Sequence, residues 1–203
     1  MSKRIVYHGT ISDFMDNIKS HKKLYSWLNT KNVPVIKASS GYPSEAGLIW
    51  LTADYNSAKF YASGGEAVFN GVATKKGLKA EFGGIFEVEL DMNLKLALRN
   101  QKLTQTEADI LNKYIPHYKQ VSVGTALNIA VEHRSNGKLM WKDALIMLGY
   151  DGIVEKNSKG VDVQIGIIAD DVPVNVFYDV TGTRQKIQEI RNRIKLDNHL
   201  QIV

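Results

Sequence analysis

The chain of 203 residues is 44% hydrophobic and 23% charged, the balance of one globular domain with a substantial core. It holds no cysteine, which excludes disulfides, thiolate nucleophiles and cysteine-ligated zinc, and no apolar run approaches the ~18 residues of a membrane span. The formal charge of +5 and a pI near 9.2 would suit a polyanionic partner, but the cations are spread out and collect toward both ends, as on an ordinary solvated surface.

In chain order, "MSKRIVYHGT" passes from two cations straight into a β-branched strand, without the apolar stretch of an export signal, so a cytoplasmic protein is expected. The spacing of Ile11, Phe14, Met15 and Ile18 predicts a helix next. From Leu24 to Pro43 the sequence reads as an irregular excursion. "GLIWLT" is a short apolar strand, and Asp54 is placed to cap a helix that ends in two glycines. The lysines and glycines from Glu66 to Gly83 read as a turn-rich connection that could act as a lid. "GIFEVELDMNL" alternates, with Phe86, Val88 and Leu90 on one face and Glu87, Glu89 and Asp91 on the other. Helices are expected in "TQTEADILNKYI", "GTALNIAVEHR" and "WKDALIMLG", the last stopping at Gly149. Strands are expected in "DGIVEK", "VDVQIGIIA" and "VPVNVFYD". A basic amphipathic helix over 183–200, with Ile187, Ile190 and Ile194 on one stripe, closes a single domain spanning 1–203. The expected class is α+β, with two small, mostly antiparallel sheets and helices around them.

Three short stretches could carry chemistry. "YHGT" places His8 at a strand end, where Gly9 would let a ligand approach the backbone and Thr10 could hydrogen-bond; alone, it is also an ordinary strand-end histidine. Trp50 and Tyr61 stand eleven residues apart across a strand, a turn and a helix, so their rings could oppose each other around a planar heterocycle, or both could be core. In "VDVQIGIIADD", Asp162 and Gln164 lie two apart on a strand, project from one face and need partners in an apolar run, unless that face is wet.

Taken in order, "YHGT" at 7–10, "GLIWLTADYNSAKFYA" at 47–62 and "GYDGIVEK" at 149–156, followed by the late strand of Gln164, resemble the ADP-ribosyltransferases of the diphtheria-toxin-like His–Tyr–Glu class, closest to bacterial and phage members. The resemblance implies an NAD cleft between two small sheets. It implies that His8 bonds a ribose hydroxyl of NAD, that the backbone of Gly9 holds the nicotinamide carboxamide, and that Trp50 and Tyr61 sandwich the nicotinamide. Gln164 stands where the family has its glutamate. Three outcomes are open: the glutamine suffices, Asp162 on the same strand face or Glu155 from the preceding strand supplies the carboxylate, or NAD binds without turnover. The expected arrangement is an active site with Gln164 in the glutamate's place, Asp162 beside it as helper, and His8. The implied activity is mono-ADP-ribosyl transfer to a macromolecular acceptor, host protein or RNA/DNA, by a phage effector or intracellular toxin. The acceptor, an accompanying antitoxin or chaperone, and the oligomeric state stay open. An NAD-using RNA 2′-phosphotransferase and a non-catalytic module that binds nucleic acid or protein through the basic helix are the alternatives. No metal is expected, because His8, His21, His117, His133 and His199 show no ligand spacing.

Overall fold

A computed structural model describes residues 2–26, 47–62, 82–112, 121–132 and 140–179. The lid expected from Glu66, up to residue 81, the excursion beyond Ser26 and the terminal helix lie outside the described residues.

Strand β1 (Lys3–Ile11) is followed by helix α1 (Ser12–His21) and the short β2 (Lys23–Tyr25). Then come β3 (Leu48–Leu51), α2 (Tyr55–Ala62), β4 (Phe82–Asp91) and β5 (Leu96–Leu98). Helices α3 (Gln105–Asn112), α4 (Val123–Glu132) and α5 (Trp141–Met147) lead to β6 (Gly152–Lys156) and β7 (Asp162–Ile168). The described chain closes with β8 (Asp171–Pro173) and β9 (Val176–Asp179). The class is α+β.

Among the described residues three sheets form where two were expected. Their orders are β1-β4-β9, β2-β8 and β3-β7-β6-β5, all antiparallel except the β5–β6 pair. The extra sheet arises because "VPVNVFYD" does not make one strand. Its first half pairs with β2, Asn175 turns its amide to the Glu87 carbonyl at 3.0 Å, and its second half joins β4. Strand β5, unmarked in the sequence, survives as three residues beside β6.

The alternation in β4 holds as read. Phe86, Val88 and Leu90 are buried against Val6 of β1 and against Ile49, Leu51, Ile165 and Ile167 of the four-stranded sheet, so the two larger sheets share one core. The other face of the β3-β7-β6-β5 sheet packs under α3–α5 through Leu48, Ala97, Ile153, Leu111, Leu127, Trp141 and Leu145. The outer face of β1 and β4 is covered by α2, where Ala58, Ala62 and Ile85 are sealed together.

Helix α2 starts where the sequence placed it. The Asp54 carboxylate accepts from the amides of Asn56 at 3.2 Å and Ser57 at 3.0 Å and from the Ser57 hydroxyl at 2.7 Å. The Ser57 hydroxyl above all holds its carboxyl below the usual range, helped by the two amides and opposed by burial.

Candidate functional site

The two larger sheets meet at the edges of β1 and β3. There Tyr7 and Thr52 exchange backbone hydrogen bonds of 2.7 and 2.8 Å in an isolated bridge. Beside this bridge a side chain satisfies the strand edge, for Nδ1 of His8 lies 2.8 Å from the Trp50 carbonyl oxygen. A carbonyl only accepts, so Nδ1 carries the proton and donates, and Nε2 of the neutral ring is left as an acceptor. Burial pushes the His8 pKa below its ordinary 6.5, with the bond to Trp50 pulling the other way, which keeps the ring neutral near pH 7. Among the described residues no hydrogen bond engages Nε2.

Gly9 packs closely against helix α2. A Cβ there would fall 1.9 Å from the Ala58 carbonyl oxygen and 2.9 Å from the Ala62 amide nitrogen. The missing side chain therefore admits helix α2. Thr10 is buried at the end of β1, opposite Gly84. The close packing of Gly9 on Ala58 and Ala62 sets the position of their neighbour Tyr61.

Trp50 pairs with Gly166 across β3 and β7, and its indole lies over that glycine: a Cβ on Gly166 would come 3.0 Å from the ring. The indole also meets Trp141 edge-on, with centroids 6.2 Å apart. Two residues along β7, on the same face as Gly166, Gln164 donates from Nε2 to the Tyr61 hydroxyl oxygen at 2.9 Å. Its Oε1 accepts from Nη1 of Arg99 at 3.1 Å, and the same nitrogen donates to Glu155 Oε2 at 2.8 Å. Glu155 and Gln164 are direct partners across β6 and β7. The Arg99 guanidinium lies over the Trp141 ring, 5.6 Å from its centroid.

Asp162 does not join this group. The register of β6 and β7 slips so that Glu155 and Lys156 face Gln164 and Asp162, which leaves Val163 as an extra residue. Such a bulge breaks the two-residue alternation on which a shared face depended. Gln164 goes with Glu155 on one face, whereas buried Asp162 takes Lys156 and Arg4, each at 2.5 Å, on the other. Burial by itself would raise the Asp162 carboxyl, but the hydrogen bonds and charges of Lys156 and Arg4 outweigh it and hold the pKa below the usual carboxylate range. Its backbone oxygen also accepts from Ala53 at 2.9 Å. Asp162 thus clamps β1, β6, β7 and the turn before α2.

The "GYDGI" stretch is likewise structural. Gly149 ends α5 with φ of +75°, a conformation that favours glycine. The Tyr150 hydroxyl donates to Glu107 at 2.5 Å, which pushes its pKa up to about 12, and Asp151 accepts the Lys95 amide at 2.8 Å. A Cβ on Gly152 would lie 2.2 Å from the Gly166 oxygen.

Of the residues singled out in the sequence, the fold joins Tyr61, Gln164 and Glu155 around β7, seats Trp50 over Gly166 two residues along, and bonds His8 to the Trp50 carbonyl. Arg99 and Trp141, which complete the network, carried no sequence signal: one follows a three-residue strand and the other opens a short helix. Among the described residues no cluster of three or more histidine, aspartate or glutamate side chains could hold a metal ion. No family model, curated protein or solved structure matches the chain.

Proposed function

We propose that the chain is an NAD-dependent mono-ADP-ribosyltransferase of the His–Tyr–Glu class. The observation that carries this reading is the hydrogen bond between Gln164 and Tyr61, which joins two residues 103 positions apart that the sequence likeness pairs in one site. His8 supports it, because its neutral ring offers Nε2 to a donor such as a ribose hydroxyl. The Trp50 indole lies over Gly166 and the Tyr61 hydroxyl meets Gln164, two residues along the same face of β7, so both aromatic residues reach one stretch of that strand.

In the reaction the bond between nicotinamide and ribose breaks. The electron pair stays with the nicotinamide nitrogen, so a neutral base departs and positive charge builds on the sugar. A nucleophile on the acceptor then forms the new bond and gives up its proton. The protein's part is to hold the base, orient the sugar and offset its charge.

A second reading, NAD binding without turnover, draws on one feature: both nearby carboxylates are already paired, Glu155 with Arg99 and Asp162 with Arg4 and Lys156. Incubation with NAD labelled on the adenylate, with and without cell lysate, separates the two. The transferase releases nicotinamide and labels macromolecules, and loss of label on nuclease treatment assigns the acceptor to nucleic acid. His8→Ala and Tyr61→Ala are each expected to lower labelling by about tenfold or more with unchanged far-UV circular dichroism, as loss of one hydrogen bond at a reacting centre would. Intact NAD in every reaction would refute the transferase.

A further inference from the structure

We infer that Arg99 is the positioning residue of this site: its guanidinium dictates which end of the Gln164 amide meets Tyr61 and keeps Glu155 beside that amide as the counter-charge. The catalytic consequence rests on the proposed function, whereas the positioning itself rests on geometry alone.

An amide side chain can present either end to a neighbour, and an arginine decides between them because it only donates. Oε1 of Gln164 must face Arg99, so Nε2 must face the Tyr61 oxygen. Hydrogen-bond direction therefore runs from Arg99 through Gln164 to Tyr61. A glutamate at 164 would accept from both sides and reverse the last step. It would also set a like charge directly opposite Glu155 across the β6–β7 pair. The neutral residue on β7 is thus matched to the charged one on β6.

Arg99 is itself held from three sides. Its amide donates to the Val154 carbonyl and its own carbonyl accepts from the Gly124 amide, each at 2.9 Å. Gly124 leaves room for the stem, since a Cβ there would lie 2.7 Å from Arg99 Cγ. The guanidinium rests over the Trp141 ring. The Arg99 and Glu155 side chains are each 33% exposed, so their ion pair is wet and adds little to stability. What it supplies is orientation.

The test uses the full chain labelled with nitrogen-15 and compares wild type with Arg99→Met, which keeps the stem and removes the donors, and Arg99→Lys, which keeps a charge and a donor. In wild type the Gln164 side-chain amide is expected to give two resolved signals that exchange slowly with water. In Arg99→Met those signals should move toward free-amide positions and exchange at least about tenfold faster, with backbone amides of the core in place, and Lys should restore part of the protection. With NAD, Arg99→Met should lower kcat by about tenfold while KM stays within about twofold, because the amide would be misdirected and not removed. Unchanged Gln164 signals in Arg99→Met would overturn the inference whatever the activity, and so would a rise in KM with kcat untouched. Should Arg99→Met fail to fold, Gln164 signals in Arg99→Lys identical to wild type would overturn it and partial loss of protection would support it. If the Gln164 signals respond as expected but wild type leaves NAD intact, the positioning role stands and the transferase reading falls.

Discussion

Gly9→Ala is the most direct probe of how the fold builds the site. The new methyl carbon would sit 1.9 Å from the Ala58 carbonyl oxygen and 2.8 Å from its carbon, whereas carbon and oxygen in contact need about 3.3 Å. The shortfall of about 1.4 Å lies between two backbones, so no rotamer change can relieve it, and β1 and α2 must separate. That places the cost toward the upper part of the overpacking range, about 2–3 kcal/mol. For a chain of this length the corresponding fall in Tm is roughly 5–10 °C. A helix displaced by that distance would also carry Tyr61 away from Gln164, whose 2.9 Å bond has no slack to follow, so nicotinamide release should fall with stability. Thermal unfolding followed by circular dichroism reads the first effect and the NAD assay the second. A Tm within about 1 °C of wild type would refute the packing role of Gly9. If NAD binding were lost at the same time, the glycine would belong to the ligand after all.

Two further outcomes follow from charge. Asp162 has its folded pKa depressed, so its stabilisation is complete above the unfolded carboxylate value and is lost as pH falls through the folded one. Wild type should therefore lose stability on acidification below about pH 4 more steeply than Asp162→Asn, which at pH 7 should be about 1–3 kcal/mol less stable. The cost stays under that of a fully buried pair because Arg4 and Lys156 reach water. Urea midpoints between pH 7 and pH 3 measure this, and parallel curves for the two proteins would contradict the clamp. For His8, proton–carbon NMR should give a titration midpoint below 6.5. Because that pKa is lowered, its contribution to stability is present above the unfolded value and is lost as pH falls through the folded midpoint. A midpoint at or above 6.5 would contradict burial as the dominant influence on the ring.

How much of this could be read from the residues depends on the range of the interaction. Periodicity marked β1, β3, β4, β6, β7 and the helices among the described residues, because each turns on neighbours within a few positions: the Asp54 cap, the alternation of Phe86, Val88 and Leu90, the stop at Gly149. The order of motifs grouped His8, Trp50, Tyr61 and Gln164, but it did not foretell the bond of His8 to the Trp50 carbonyl, 42 positions away, or that of Gln164 to Tyr61. Asp162 was misplaced because a single inserted residue, Val163, undoes the two-residue period, and a bulge leaves no mark in composition. At position 9 the sequence shows that a side chain is missing and not that α2 takes the space.

The same distinction separates the parts of the site. Gly9, Gly124 and Gly166 each give up a Cβ to a specific neighbour, α2, the Arg99 stem and the Trp50 ring respectively, so the positions of Tyr61, Arg99 and the indole are all set by backbone contact. Positions fixed in this way do not rely on the polar network for their stability; under the proposed function, Gln164 and Glu155 are the groups left for chemistry. The wet, low-energy ion pair of Arg99 and Glu155 is consistent with that division. An arrangement whose scaffold is rigid and whose polar groups are only weakly stabilising is the one expected where side chains must meet a substrate and then release its products.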